Sequence, residues 1–239
     1  MNLRSYLPIL ALLAACSTQP SGRTIQANIG GGGGQMLYLD RFSANKPTHI
    51  DSVKLDADGK GTFHVAKMPL DFYALSLSPN DMAVVILDSA ESVVVEATAG
   101  KLSEPTKVEG SLHSDLLYGF FKESKRFDEE KQELVQRINA DRADVDAIDR
   151  INKLNSDFYE RCKLFVKEHT SSPAVLAAVS RLNIQNEIAL FQQVRDALKN
   201  TIPKSEYYIG FRDQVGRMEQ QAAAMKAQEE QMARLDNLI

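Results

Sequence analysis

The sequence has no tryptophan, and only two of its 239 residues are cysteine, Cys16 and Cys162. Two thiols so far apart make no Cys-x-x-Cys pair, which excludes a redox dithiol within the chain. They also provide no disulfide framework, so the folded body rests on its apolar core. Positive charge is not in excess. Against 28 Lys and Arg stand 32 Asp and Glu, a net charge of -4, which argues against nucleic acid as a partner. The four histidines, His49, His64, His113 and His169, are scattered. None stands at ligand spacing from a cysteine or carboxylate, so no metal or other cofactor is expected. No apolar run reaches the ~20 residues that a membrane-spanning helix needs. What the chain does have is 44% hydrophobic residues, an ordinary share for a globular body, and an abrupt change of pattern along its length.

The first residues carry an address. Met1-Asn2-Leu3-Arg4-Ser5 holds one positive side chain, and Tyr6 to Ala15 is apolar over about half a spanning length. Such a run reads as a signal peptide, not a permanent span. It closes on Leu13-Ala14-Ala15-Cys16, a tetrapeptide that resembles the lipobox of bacterial lipoproteins. The resemblance implies that residues 1–15 are removed and that the thiol of Cys16 carries a diacylglycerol. Cysteine is the residue with a thiolate-capable nucleophile for such a thioether. Each buried methylene adds about 0.8 kcal/mol of membrane affinity, so several acyl chains anchor firmly. Residues 16–23 then read as a polar tether. The expected partner of Cys16 is therefore a membrane. Ser17, standing where an acidic residue would retain a lipoprotein at the inner membrane, points by analogy to the outer one.

Beyond the tether the chain divides near Gly110. Six of the eight prolines precede it, and the pattern before it is β. Thr24–Ile29, Gln35–Asp40, His49–Leu55, Thr62–Ala66, Phe72–Leu77, Met82–Leu87 and Ser92–Ala97 read as strands, separated by short turn signals such as Asp58-Gly59 and Pro79-Asn80. Tyr73, Leu75 and Leu77 alternate with Ala74 and Ser76. Met82–Leu87 is continuously apolar and reads as a central strand. After Gly110 the period is helical. One helix is expected over Ser111–Asn139, with a stripe of Leu112, Leu116, Phe120, Leu134 and Ile138. A second runs over Asp141–His169 with Ile148, Ile151, Phe158, Cys162 and Phe165. A short third follows Ser172-Pro173, a fourth covers Glu187–Asn200, and a fifth starts at Pro203. The expected class is α+β: an antiparallel β-sandwich or barrel at 24–110, then a helical spacer at 111–239. The fifth helix is expected to pack on its neighbours and continue as a polar linker. Its near-heptad apolar positions also permit a coiled-coil seam.

Several stretches suggest chemistry and fall short of it. Gly30–Gly34 lacks the Lys and Ser/Thr of a phosphate loop, and a loose hairpin is the better reading. Asp56-Ala57-Asp58-Gly59 starts like a calcium loop, but its twelfth position is Lys67, and Asp-Gly between two strands signals a hairpin turn instead. Ser111, His113, Ser114 and Asp115 lack a nucleophile-elbow setting, and Ser111 is better placed to cap the helix that follows. Cys162 lies on an apolar stripe and reads as core. No catalytic residue is assigned.

The order of motifs resembles a known family arrangement. Ile29-Gly30 with Leu37-Tyr38-Leu39, Ile50-Asp51-Ser52, Asp58-Gly59-Lys60-Gly61-Thr62-Phe63, Tyr73-Ala74-Leu75 and Val108-Glu109-Gly110-Ser111 are similar to the domain of unknown function that precedes the thioredoxin-like domain of TlpA/ResA-type thiol-disulfide oxidoreductases in Gram-negative envelope lipoproteins. Ser171-Ser172-Pro173-Ala174-Val175 and the segment from Pro203 to Tyr208 resemble the helical spacer of the same proteins. The resemblance covers most of residues 24–235. It implies an envelope protein whose redox work belongs to a C-terminal thioredoxin-like domain. That domain and its two cysteines are not in this sequence, and the expectation is a truncated chain. On this reading the chain is the non-catalytic anchor, partner-binding and spacer portion. The other reading is a standalone lipoprotein that binds a peptide or glycan.

Overall fold

In the computed structural model, residues 23–43, 47–65, 68–88 and 91–236 are described. Eight strands come first: β1 (Arg23–Gly30), β2 (Met36–Arg41), β3 (Thr48–Lys54), β4 (Lys60–Val65), β5 (Asp71–Ser78), β6 (Asp81–Leu87), β7 (Val93–Thr98) and β8 (Lys107–Glu109). Five helices follow: α1 (Leu112–Ala140), α2 (Val145–Glu168), α3 (Val175–Val179), α4 (Ile188–Thr201) and α5 (Glu206–Asp236). The class is α+β, as the change of pattern at Gly110 predicts.

The strands form two four-stranded sheets, ordered β4-β1-β7-β8 and β3-β2-β5-β6. They face each other across one core. Alternation builds it: Ile25, Ala27 and Ile29 from β1, Leu37 and Leu39 from β2, and Val93, Val95 and Ala97 from β7 all point inward. The sheets do not close into a barrel. Of the two expected forms, the sandwich is the one found. One ladder departs from the antiparallel expectation: β1 pairs with β7 in parallel, Ile25 opposite Val93. Between β1 and β7 the chain builds all of the second sheet and adds β4 to the first, then re-enters beside β1 in its original direction. A parallel neighbour requires such a long crossover.

The loops between strands also correct the hairpin readings. Gly30–Gly34 links β1 to β2, which lie in different sheets, so it is not a hairpin. Nor is it loose. Gly34 donates its N–H to the carbonyls of Leu55 and Asp56, and a Cβ at Gly33 would stand 2.6 Å from the carbonyl of Ala57. Asp58-Gly59 likewise turns the chain from β3 into β4 of the opposite sheet. The two turns form one end of the sandwich, joined by an N–H of Ile29 donated to the carbonyl of Gly59.

The second sheet is covered twice. Phe72 of β5 and Ile86 of β6 face away from the sandwich and join the helical core with Leu117, Phe120, Val175 and Tyr208. Every residue of β5 from Asp71 to Ser76 is buried. The molecule is thus layered sheet, sheet, helix. The junction is Gly110. Its φ is +94°, and a Cβ there would run into the carbonyl of Ser92, so a glycine is required.

Strand β6 is an edge strand, not a central one. Its apolar run survives at an edge because α1 covers that edge. Ser114 Oγ accepts the N–H of Ile86 at 2.8 Å, Ser111 Oγ donates to the carbonyl of Ile86 at 2.6 Å, and Tyr118 donates to the carbonyl of Val84 at 2.9 Å. Burial raises the Tyr118 phenol well above its usual range, so it remains a donor. The inward turn of α1 also shifts its stripe. Leu112 is exposed, and the buried line runs Ser114, Leu117, Phe120, Ser124, Phe127 and Leu134. Further out, Phe127 stacks on Phe158 of α2 with ring centroids 3.9 Å apart. Ser111 caps α1 as expected, accepting the N–H of Ser114. The short third helix begins at Val175, and Ser172 Oγ accepts the N–H of Ala174 just before it.

Candidate binding groove on the outer sheet face

The helices cover only part of the second sheet. Over the remainder lies a groove of about 670 Å³, lined by Tyr38, Asp40, Phe42, Pro47, Ala74, Ser76, Leu77, Ser78, Pro79 and Met82. Register explains the floor. Leu37 and Leu39 of β2 point into the sandwich, so Tyr38 and Asp40 point out. Tyr38 is opposite Ser76, which is opposite Met82; Asp40 is opposite Ala74. Small side chains in the middle and larger ones at the borders leave a trough.

One wall carries the polar groups. A bulge between Leu39 and Asp40 breaks the β2–β3 register and brings His49 beside Asp40. The His49 Nδ1 and Asp40 Oδ1 atoms are 2.9 Å apart. Tyr38 meets the same imidazole edge-on, with centroids 6.0 Å apart, and is 39% exposed. The trough therefore offers an accessible aromatic ring, a carboxylate and two serine hydroxyls over an apolar floor. Such walls bind by stacking and hydrogen bonding.

The far end is closed by the start of α5. Phe42 stacks on Tyr207 at 5.4 Å, and Tyr207 leans on Phe72 at 5.0 Å. Beneath them Arg41 forks onto Asp71, with Nε to Oδ2 at 2.7 Å, and also reaches the carbonyl of Lys204 at 3.3 Å. Asp71 is only 1% exposed, and its other oxygen accepts the N–H of Phe72. A buried carboxylate requires such partners. Ser43 adds a hydrogen bond to Glu206. This end of the groove is thus fixed by both the sandwich and the helices.

The residues singled out from sequence are dispersed. Cys16, the expected lipid site, lies outside the described residues, as do residues 1–15 and most of the tether. Cys162 is fully buried between helices, and burial pushes its thiol up to about 11, so it remains a protonated core group. The Asp56 carboxylate accepts the N–H groups of Asp58 and Lys60, which makes the loop a turn. His113 does meet a serine, with its Nδ1 2.9 Å from Ser172 Oγ. That hydroxyl is 4% exposed and already receives a backbone N–H, so it ties α1 to α3 and is not placed as a nucleophile. Among the described residues, no group of three or more His, Cys, Asp and Glu could hold a metal ion, and no helix is long and apolar enough to cross a membrane.

Sequence reasoning left His49 without a partner because Asp40 is nine positions away and joins it only across two strands at a bulge. The available signal was Tyr38 standing between Leu37 and Leu39, which puts an aromatic ring on the face opposite two leucines. Its neighbours across the sheet gave no signal. Comparison with protein-family models, with curated proteins and with solved structures finds no match to this chain.

Proposed function

We propose that this chain is a lipid-anchored protein of the cell envelope, held at Cys16. Its β-sandwich binds a partner, and its helices serve as a spacer beside a thiol-disulfide oxidoreductase domain. The role is non-catalytic. The groove over β2, β5 and β6 carries this reading. It combines an exposed aromatic ring with a paired carboxylate over a floor of small side chains. The buried Cys162 supports a body without thiol chemistry of its own. The lipobox-like tetrapeptide and the order of β and helical motifs support the anchor and the redox association.

A second reading is favoured by the same wall. Tyr38, with Asp40 and His49 beside it, has the chemistry that stacks on a sugar ring or a peptide side chain. A standalone lipoprotein binding a peptide or glycan would use it directly.

Two measurements test these readings: the first their shared anchor, the second what the groove binds. Palmitate labelling of wild type and Cys16→Ala tests the anchor, and equal label in both would sink it. Capture from envelope extract, with wild type and Tyr38→Ala as bait, tests the groove. Thiol-disulfide proteins lost with Tyr38→Ala support the first reading. Glycans or peptides lost with it support the second. A captured set unchanged by Tyr38→Ala would remove the groove from both.

A further inference from the structure

The first sheet ends at β8, with no further strand beside it among the described residues. Backbone groups along a strand point alternately to its two neighbours. Ala99, just after β7, donates its N–H to the carbonyl of Gly30 on the β1 side. The carbonyl of Glu96 accepts the N–H of Thr106 on the β8 side. Odd-numbered residues of β7 therefore turn their backbone groups to β1, and even-numbered ones to β8. Val108 stands opposite Val95, so its own N–H and C=O point away from β7, to the open edge.

Helix α1 runs beside that edge and leaves a trough of about 460 Å³. The stretch from Ser103 to Val108 forms one wall, and Tyr118, Gly119, Phe121, Lys122 and Lys125 form the other. Tyr118 and Phe121 meet edge-on with centroids 5.8 Å apart, and Phe121 is 41% exposed. Gly119 lies inside α1, where glycine is less stable than alanine. A Cβ there would meet nothing within 4 Å. Packing within the chain gives no reason for this glycine; what it keeps open is the trough.

Three lysines line the trough, Lys107, Lys122 and Lys125, against one carboxylate, Glu104. Lys125 pairs with Glu104 at 2.8 Å, and Lys107 pairs with Glu109 at 3.0 Å. Lys122 is exposed and has no ion pair among the described residues. Even with Glu109 counted, the lining is net positive on a chain whose net charge is -4.

We propose that this trough binds an extended acidic segment of a partner protein, which adds to β8 as a further strand. A chain laid between a sheet edge and a helix takes main-chain hydrogen bonds from the edge and side-chain selection from the pockets beside it. Val108 exchanges both backbone bonds with the residue opposite. Side chains turned toward α1 meet Phe121 and the space at Gly119, which fits an apolar residue. Carboxylates of the segment meet Lys122, which has no competing partner. Because β8 is three residues long, the helix wall supplies most of the contact. The site is separate from the groove over β2, β5 and β6.

The test is selection of random seven-residue peptides, displayed on phage, against the immobilised full chain. The expected outcome is a set rich in Asp and Glu around one apolar residue. A synthetic copy of the strongest peptide should slow amide exchange at Val108 by about tenfold or more. Lys122→Glu should weaken its binding by about tenfold at low salt and by less at high salt. Gly119→Leu should abolish binding while the melting temperature holds or rises, because leucine is the better helix former and enters open space. No acidic set, binding indifferent to Lys122→Glu and Gly119→Leu, or an unprotected Val108 amide would overturn the proposal. Peptides lost with Tyr38→Ala but kept with Gly119→Leu would also overturn it, and would support the groove on the second sheet instead.

Discussion

Strands β3 and β6 border the same sheet and solve the problem of an open edge in opposite ways. β3 reads Thr48-His49-Ile50-Asp51-Ser52-Val53-Lys54 and is largely exposed. It carries charge along its length and pairs through a bulge, both of which discourage another strand from adding. β6 reads Asp81-Met82-Ala83-Val84-Val85-Ile86-Leu87 and is largely buried. Two serines and a tyrosine of α1 occupy its backbone groups. The difference shows that an apolar strand need not be central. It needs each face and each backbone group to be met by something, and here a helix meets them with polar side chains. The other consequence is functional. The outer face at one end of β5 and β6, beside β2, is left open and holds the groove, while Phe72 and Ile86 at the other end are committed to the helices.

Four experiments break or sharpen this contrast. The largest effect is expected where the covered part of the sheet buries a charge. Arg41→Met leaves Asp71, 1% exposed, without its cation and should cost about 3–5 kcal/mol in urea unfolding. A loss below ~1 kcal/mol would mean that the ion pair does not hold the sheet to the start of α5. Next comes the covered edge. Ser114→Ala leaves the Ile86 N–H without a partner and should cost about 1–3 kcal/mol. Hydrogen exchange at Ile86 should accelerate in the same variant, while exchange in β3 stays unchanged.

The third effect is a pH dependence at the same helix end. Burial lowers the pKa of His113 below its usual 6.5, although Glu91 and Asp88 pull the other way. Above pH 7 the imidazole is neutral in both folded and unfolded chains, and its contribution is constant. As pH falls through 6.5 the unfolded chain takes up the proton first. Stability therefore declines until pH passes below the folded value, and then levels off. Melting temperatures of wild type and His113→Gln, compared from pH 8 to pH 5, should diverge least in stability loss for the variant. Parallel curves would rule the histidine out. The smallest effect is expected at the open edge, where Ile50→Ala should stay within about 0.5 kcal/mol of wild type. A larger loss would mean that something covers β3 in solution.

Much of this fold is readable before any coordinates are consulted. The β-to-helix change at Gly110, the alternation of β5, the cap at Ser111 and the core position of Cys162 all follow from local pattern. The misreadings share a cause. Gly30–Gly34 and Asp58-Gly59 have turn chemistry, but a turn says only that the chain reverses, not whether the next strand joins the same sheet. β8 is three residues long, Lys107-Val108-Glu109, too short to show a period. The Leu112 stripe was drawn from hydrophobicity, while α1 in fact buries Ser114 because a strand edge needs its hydroxyl. The groove was not legible: Tyr38 stands in a segment read only as a strand, and its exposure is decided by the sheet. Asp40 and His49 meet across a bulge that no spacing in the chain announces.

Short-range periodicity, turn residues and capping side chains were enough to determine the element types and the boundary between the two halves, because those depend on neighbours within a few positions. Sheet membership, the parallel β1–β7 ladder, the covered edge of β6 and the Arg41–Asp71 pair were decided only in the tertiary structure. Each of these depends on which distant backbone or charge is left unsatisfied until another part of the chain arrives to meet it.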